Sequence, residues 1–285
     1  MFIEIEDINS PDLDFYARYT EQQLRTVEDP AGGLFIAESA GVSVLALEAG
    51  YEPVSMLVER GRLDVEAGPV FEALARLLGS GAKEALPVYV ADHEVLVNLT
   101  GYALVRGLWM LFRRKPEVTV EEFCRGKKRI AVLYDVVNPV NVGAIIRNAA
   151  ALGMDGVLLT HPSVDPLTRR ASRVSMGTVF QIPCVSAGFE ESQGLNLINI
   201  LRSYGFKMTA MALTEDSTSV DSDEIRSNDK LAVVLGTEGT GLPKDVIREC
   251  DYRVMIPMFN GVDSLNVAAA SAISFWELMK RKDVL

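Results

Sequence analysis

The sequence has few of the residues that build metal centres or disulfide frameworks. Its 285 residues include only two histidines, His93 and His161, and three cysteines, Cys124, Cys184 and Cys250. The cysteines are widely spaced and odd in number, which is typical of reduced thiols in a cytosolic protein. We therefore expect no disulfide framework, no metal site and a cytoplasmic location.

Long apolar runs are also lacking. No stretch of about 18 uninterrupted apolar residues occurs, so we expect no membrane span. The first residues, MFIEIEDINSPD, are acidic and lack the basic segment followed by an apolar one that a secretory signal has. Hydrophobic residues make up 48% of the chain and charged residues 24%, which indicates a globular protein with enough apolar material for a buried core.

Positive charge is scarce. The chain has 28 Lys and Arg against 39 Asp and Glu, a formal net charge of -11, which argues against a general nucleic-acid binder. Almost all of the excess negative charge lies in residues 1–126, which have 11 basic and 21 acidic residues. Residues 127–285 are nearly balanced, with 17 basic and 18 acidic residues. Basic residues also cluster locally, as solvated patches or as partner contacts: Arg113, Arg114, Lys115; Lys127, Lys128, Arg129; Arg169, Arg170, Arg173.

The pattern of apolar residues predicts two α/β domains. Short buried strands near 34–39, 54–59 and 86–91, with helical spacing between them, predict a smaller α/β domain over 1–115. A charged stretch with a proline and a glycine predicts a linker over 116–128. Strands alternate with helices over 129–285, which predicts a mostly parallel sheet covered on both faces.

Three segments in the second half follow predicted strands, where open parallel sheets bind ligands. The first is NPVNVGAIIRNAAALG, predicted as a helix over 141–153 with Asn141 as its N-cap and Gly153 as its stop. Arg147 lies among small apolar residues of this helix. It is placed either to bind a phosphate bidentately or to extend into solvent.

The second segment, VVLGTEGTGLP, covers 233–243. It has three glycines but neither the GxGxxG nor the P-loop spacing, which argues against a dinucleotide-dependent oxidoreductase. Its glycines allow the backbone to approach a flat ligand closely, and Glu238 places one acid in the bend. The alternative is a plain turn before a helix at Pro243.

The third segment, MIPMFNGVDSLNVAAA, covers 255–270 and opens a helix predicted over 264–282. Ser264 and Asn266 lie at its start, where free backbone N–H groups and the positive end of the helix dipole are found. For Ser264 alone, helix capping is the simpler interpretation. The small-residue run Val267–Ala272 is typical of a close-packed helix face, against this chain or another subunit.

Together these segments resemble the SpoU/TrmH family of SPOUT RNA methyltransferases. Matches to the three family motifs occur in order along residues 130–282, with RRASRVSMGTVFQIP fitting between the first and second. The matching residues are Asn141, Gly143, Arg147 and Asn148; then Leu235, Gly236, Glu238, Gly239 and Leu242; then Ile256, Pro257, Met258, Ser264, Leu265, Asn266, Val267 and Ala268. The region before them resembles the family's RNA substrate-binding domain, through LFIAESAGVSVLAL and LTGYALVRGLWMLFRRK, with Ser39 where the family usually has glycine.

The resemblance implies a SPOUT domain with a deep trefoil knot, working as a homodimer on RNA with S-adenosylmethionine as cofactor. It implies that backbone groups of Leu235, Gly236, Ile256, Met258 and Leu265 hold the cofactor. It places Arg147 near the target ribose, with Asn141, Glu238, Ser264 and Asn266 completing the catalytic site. Ribosomal RNA is the first expected substrate and transfer RNA the second, because the extra N-terminal domain is more usual among rRNA-directed members.

The implied reaction is methylation of a ribose 2′-hydroxyl. Arginine has a pKa above about 12 and is a poor base at neutral pH, so we expect Arg147 to act as a hydrogen-bonding and electrostatic group. The alternative function is a non-catalytic RNA-binding protein on a methyltransferase scaffold, against which the intact Arg147 and third motif argue.

Overall fold

The computed structural model describes residues 1–7, 9–27, 33–79, 81–100 and 107–279, with side chains of 98–100 left aside. These residues form two compact units, Met1–Glu117 with Leu167–Gln181 and Val118–Pro166 with Ile182–Leu285. The division differs from the predicted boundaries. Residues 167–181, expected within the second domain, belong to the first unit.

The strands of the described residues are β1 Phe2–Ile5, β2 Leu34–Glu38, β3 Pro53–Glu59, β4 Val88–Ala91, β5 Leu108–Arg113, β6 Arg129–Leu133, β7 Gly156–Leu159, β8 Cys184–Ser186, β9 Lys207–Met211, β10 Thr218–Ser219, β11 Leu231–Leu235 and β12 Tyr252–Met255. The α-helices are α1 Asp14–Ala17, α2 Glu21–Thr26, α3 Ala40–Glu48, α4 Gly68–Leu78, α5 Ala82–Ala85, α6 His93–Thr100, α7 Val120–Cys124, α8 Pro139–Ala151, α9 Arg169–Val174, α10 Phe189–Ser192, α11 Asn196–Ser203, α12 Asp223–Arg226, α13 Lys244–Glu249 and α14 Val267–Leu278. Within these residues no helix has the length and apolar character needed to cross a membrane.

The first unit is built on a mixed five-stranded sheet in the order β1-β4-β3-β5-β2, in which β5 runs antiparallel to β3 and β2. Alternate residues of β2 face opposite sides, because successive side chains of a strand point to opposite faces. Phe35 and Ala37 join a core with α3 and α4, while Leu34 and Ile36 join a second core on the other face. Both faces of this sheet are therefore covered.

The segment 167–181 packs along β2, an edge strand of that sheet. Leu167 and Phe180 pack against the core of the first unit, and the Phe180 ring lies 5.7 Å from that of Phe35. In α9, Arg173 forms an ion pair of 2.8 Å with Glu38, whose side chain is only 9% exposed. These contacts hold the segment against β2 and against the core of the first unit.

The second unit carries a seven-stranded sheet in the order β10-β12-β9-β11-β6-β7-β8, in which each strand runs parallel to its neighbours. The predicted α/β class and the parallel C-terminal sheet are confirmed. Ile130, Val132 and Val234 face a core that includes α7 and α11, while α8 and α14 pack together beside β7 and β11. Residues 118–128 are not merely a linker, because Val120, Phe123 and Cys124 of α7 are buried in this core.

The connections that leave β6 and β11 diverge. From β6 the chain passes through α8 to β7 on one side, whereas from β11, the other neighbour of β6, it passes through α13 to β12 on the opposite side. Loops that diverge from adjacent parallel strands leave a crevice at their carboxyl ends, which is the usual ligand position in such sheets. The three motifs identified in the sequence begin at or just beyond the ends of β6, β11 and β12.

Candidate active site

A cleft opens at the carboxyl ends of β9, β11 and β12, beside the first turn of α14. Its volume is about 200 Å³, far more than the roughly 10–15 Å³ that a single water needs, so it has room for a small organic molecule. All five residues predicted to bind the cofactor line it, as do Glu238 and Ser264: Leu235, Gly236, Ile256, Met258 and Leu265.

The glycine-rich loop after β11 folds back tightly on itself. Thr237 and Gly241 form an isolated antiparallel bridge, and the Gly241 N–H donates to the Thr237 carbonyl at 3.1 Å. A Cβ on Gly236 would lie 2.6 Å from both Gly241 C and Leu242 N. Position 236 therefore has no room for a side chain, because the backbone at Gly241 and Leu242 passes too close. A larger residue there would move backbone that lines the cleft.

The start of α14 differs from the prediction. Ser264 was expected to open the helix, but it lies before the first turn, and Asn266 is the N-cap of Val267–Leu278. The Asn266 Oδ1 accepts from the Ala268 N–H at 2.9 Å and from the Ala269 N–H at 3.4 Å. These bonds satisfy free donors of the helix terminus and fix the orientation of the amide. Residues 280–282 of the predicted helix lie outside the described residues.

The Asn266 Nδ2, which the cap leaves free, joins two other predicted site residues. It donates to Asn141 Oδ1 at 3.2 Å and to Glu238 Oε1 at 2.5 Å. One amide therefore links the segments that follow β6, β11 and β12. The link brings three of the five predicted catalytic residues together at the edge of the cleft.

Asn141 does not cap α8 as predicted. The N-cap is Asn138, whose Oδ1 accepts from the Val140 N–H at 2.9 Å, and Pro139 is the first helical residue. Proline suits that position because it has no N–H to satisfy. Asn141 instead lies in the first turn, 4% exposed, and its Nδ2 has no partner among the described residues. The predicted stop is as expected, since Gly153 follows the helix with a φ of +83°.

Arg147 and Asn148 lie two turns into α8 and have opposite surroundings. Arg147 is exposed and has no hydrogen bond or ion pair with any residue that the structure describes. Asn148 donates its Nδ2 to the Ala268 carbonyl at 2.9 Å and to Ser271 Oγ at 3.0 Å. Together with the Asn141–Asn266 bond, this clamp fixes α8 against α14 and leaves the Arg147 side chain available to a ligand.

Several cleft residues were not singled out from the sequence. The cleft is also lined by Met211, at the end of β9, and by Ala212 and Leu213, just beyond it. Asp263, next to the predicted Ser264, lines it as well. The clamp of Asn148 was also missed, although its spacing of seven residues from Asn141 puts both on one face of a helix. Ala270 enters the cleft from α14.

Thiol and metal chemistry find no support among the described residues. The three cysteines are free, and burial raises the pKa of the Cys184 and Cys250 thiols to about 12 and that of Cys124 to about 11. Since the thiolate is the reactive form, these thiols are poor nucleophiles at neutral pH. No group of three or more His, Cys, Asp or Glu is arranged to hold a metal within the same residues.

Comparison with known proteins gives consistent matches. The SpoU rRNA Methylase family model matches residues 128–276. An uncharacterized tRNA/rRNA methyltransferase of Mycobacterium bovis is 33% identical over 279 residues, which cover 96% of this chain and 92% of the relative.

Solved structures share the fold. The AdoMet-bound rRNA methyltransferase from Sinorhizobium meliloti matches with a TM-score of 0.77 at 22% identity, covering 100% of this chain and 99% of its own. The SpoU methyltransferase AviRb from Streptomyces viridochromogenes, in complex with AdoMet, has a TM-score of 0.69 at 22% identity, covering 90% and 95%.

Proposed function

The chain belongs to the SpoU rRNA methylase family, and from this membership we propose that it is an S-adenosylmethionine-dependent methyltransferase acting on a ribose 2′-hydroxyl of RNA. The observation that carries the proposal is the Asn141–Asn266–Glu238 hydrogen-bond chain beside the cleft. A non-catalytic RNA-binding protein would have no need of this oriented polar chain next to a small-molecule cleft.

The cleft has the chemistry that the cofactor requires. Apolar side chains such as Ile256, Leu265 and Val267 offer surfaces for a flat aromatic base, and the loop from Gly236 to Gly241 presents backbone groups to polar edges. Bound there, the cofactor supplies an electrophilic methyl group on a sulfonium. The solved relatives with AdoMet support the assignment by their shared fold.

We assign the other roles in the reaction to residues around the cleft. We assign Arg147 to the ribose, where its guanidinium lowers the pKa of the 2′-hydroxyl by hydrogen bonding and charge. A nearby RNA phosphate takes the proton, since arginine itself is a poor base. Asn141, Asn266, Glu238 and Ser264 hold the substrate and cofactor in line, and alignment alone can contribute about 7–11 kcal/mol to catalysis.

The substrate is assigned to RNA, with ribosomal RNA before transfer RNA. The names of the relatives include both classes. We assign the first unit to RNA binding as well. On that unit we assign α9 to phosphate contacts. Arg169 and Arg173 are held in place by Glu21 and Glu38, while Arg170 is exposed with no partner among the described residues.

A homodimer, and the knot expected for the family, complete the proposal. Large apolar side chains stay exposed on and near α8 and α14, where Val137 is 55%, Val140 37% and Trp276 60% exposed. We infer that a second copy of the chain covers these side chains. Light scattering should give about twice the chain mass of 31.2 kDa, and Trp276→Glu should shift the mass toward the monomer.

Mapping of ribose methylation tests the proposal. Total RNA from cells with and without the gene is compared for 2′-O-methyl sites, and purified protein is then given the cofactor and RNA that lacks the mark. The expected result is one missing ribose methyl group in rRNA, restored by the wild type. Loss of a base methyl group would contradict the 2′-hydroxyl assignment, loss in tRNA would reverse the substrate order, and tight RNA binding without methyl transfer would favour the non-catalytic alternative.

A further inference from the structure

The charges that line the cleft are all of one sign. Among its lining residues, every one of which is described, the ionisable side chains are Glu238 and Asp263, and no Lys, Arg or His is present. The other lining residues are apolar, glycine, serine or threonine. The cleft therefore offers a small ligand two negative charges with no compensating cation in its walls.

The two acids differ in how they are held. Glu238 accepts a hydrogen bond from Asn266 and is part of the polar chain. Asp263, in the loop between β12 and α14, is exposed and has no hydrogen bond or ion pair with any described residue. Its carboxylate is free to face a ligand, and its charge can be removed without breaking a contact within the protein.

Methyl transfer changes the charge of the ligand by one unit. The S–CH3 bond breaks with its electron pair staying on sulfur, the O–CH3 bond forms, and the hydroxyl proton leaves. The donor has a positive sulfonium where the product, S-adenosylhomocysteine, has a neutral thioether. The amino-acid end, with its ammonium and carboxylate, is the same in both.

We propose that Asp263 is a specificity-determining residue of the cofactor cleft, which raises affinity for the sulfonium donor over the thioether product. This inference rests on the proposed function, which puts the cofactor in this cleft. At an assumed separation of about 6 Å from the sulfur, in a partly hydrated site with a dielectric constant of about 40, a carboxylate would favour the charged ligand by about tenfold. Because Asp263 is exposed, screening at physiological salt weakens the preference, and we expect a ratio of affinities between about three and at most about ten. The residue thereby favours occupancy of the cleft by the donor over the product when both are present.

Calorimetry with three ligands tests the proposal. S-adenosylmethionine, S-adenosylhomocysteine and sinefungin, whose amine carries a positive charge near the sulfonium position, are titrated into wild type and Asp263→Asn. The variant should bind the two charged ligands about three- to tenfold more weakly and the thioether within about twofold of wild type. The effect should shrink in high salt. Glu224→Gln, which removes an exposed charge of the same unit outside the cleft, is the matched control and should change none of the three affinities.

Two further variants separate this inference from the site assignment. Ala270→Phe fills the cleft, and Ala269→Phe places the same ring on the exposed neighbour of the same helix. If Ala270→Phe keeps wild-type affinity for all three ligands, the cofactor binds elsewhere and the proposed site is wrong. If Ala270→Phe loses binding while Asp263→Asn changes all three ligands equally, or none, the site stands and charge selection by Asp263 is wrong. Thermal unfolding of each variant verifies that the fold is intact.

Discussion

Asn266 and Asn141 lie 125 residues apart in the sequence, yet their side-chain amides share a hydrogen bond of 3.2 Å. The bond joins the helix cap of α14 to the first turn of α8, so the backbone geometry of one helix terminus fixes a side chain of the other. The same amide holds Glu238 at the cleft. Helix capping and organisation of the candidate site are therefore two consequences of one residue.

Asn266→Asp separates those two consequences. Aspartate keeps the cap, so the free energy of unfolding should change by less than about 1 kcal/mol. It removes the donor to Asn141 and places a carboxylate against Glu238, so methyl transfer should fall by about 10²-fold, as for loss of one preorganised group. Single-turnover methylation beside urea denaturation measures both quantities.

The control for that experiment is Thr119→Ala, which removes the side-chain cap of α7 in the same unit. It should cost about 1 kcal/mol of stability with methylation unchanged. If Asn266→Asp methylates at the wild-type rate, the polar chain has no part in the reaction.

Arg147→Ala tests the assignment of Arg147 to the ribose. The side chain is exposed and has no described partner, so stability should change by less than about 0.5 kcal/mol. Turnover should fall by about 10²-fold or more with cofactor affinity unchanged. Arg147→Lys should restore little, because an ammonium lacks the planar fork.

Arg248→Ala is the comparison for Arg147. Arg248 is 74% exposed in the same unit and does not line the cleft. Its loss should leave both turnover and cofactor affinity unchanged. Equal effects of the two substitutions would mean that Arg147 contributes only general positive charge.

Much of the fold was predictable because it depends on local pattern. Apolar runs such as 231–235 are buried throughout and become central parallel strands. Because loops after such strands meet at one edge, the motif residues were expected together, and residues of the second and third motifs line the cleft. Gly153 ends α8 because its φ of +83° is easily adopted by glycine.

What the sequence did not reveal depends on contacts between distant residues. The placement of 167–181 in the first unit rests on the Glu38–Arg173 ion pair and on Phe180 packing against Phe35, and no local pattern encodes either partner. The two N-caps were wrongly assigned because each start has two capping residues. Pro139 was the available signal that Asn138, not Asn141, begins α8.

Ser39 has a backbone conformation that suits glycine. Its φ of +91° and ψ of +153° lie in a region that only glycine adopts freely, at a cost of about 1–3 kcal/mol for other residues. Its hydroxyl accepts from the Val42 N–H at 3.5 Å and so caps α3 weakly. A glycine at this position would adopt the same backbone conformation without strain.

Ser39→Gly should therefore unfold at the wild-type urea midpoint or above it. Loss of the cap destabilises the folded state by a few tenths of a kcal/mol. The greater freedom of the unfolded glycine chain costs about 0.4–1 kcal/mol more. The strain that glycine relieves offsets both. Ser39→Ala keeps the strain and loses the cap, so it should be less stable than wild type by about 1 kcal/mol. The order Gly, Ser, Ala in the unfolding midpoint is the expected result. A glycine variant less stable than the alanine variant would show that Ser39 is unstrained.

The ion pair between Arg173 and Glu38 gives a prediction with a pH dependence. Burial raises the pKa of the Glu38 carboxyl above its ordinary 4.5, and the nearby Arg173 guanidinium opposes that rise. In Arg173→Met the opposing charge is gone, so the pKa rises further and an unpaired carboxylate stays buried at neutral pH. Removing one partner of a fully buried ion pair lowers the free energy of unfolding by about 3–5 kcal/mol. Because the Arg173 side chain is 30% exposed, we expect a loss of about 2 kcal/mol at pH 7.

The sign of the pH effect follows from proton binding. An acid whose pKa is raised in the folded state binds its proton more tightly there than in the unfolded chain, so stability grows as the pH falls through the raised value toward 4.5. The stability deficit of Arg173→Met should therefore be largest at pH 7 and shrink on acidification. Arg170→Met, on the same helix and exposed without a described partner, should show little deficit at either pH. Urea denaturation at pH 7 and pH 4.5 measures both variants, and a deficit for Arg173→Met that is equal at the two pH values would mean that lost packing, not the buried charge, holds the 167–181 segment to the first unit.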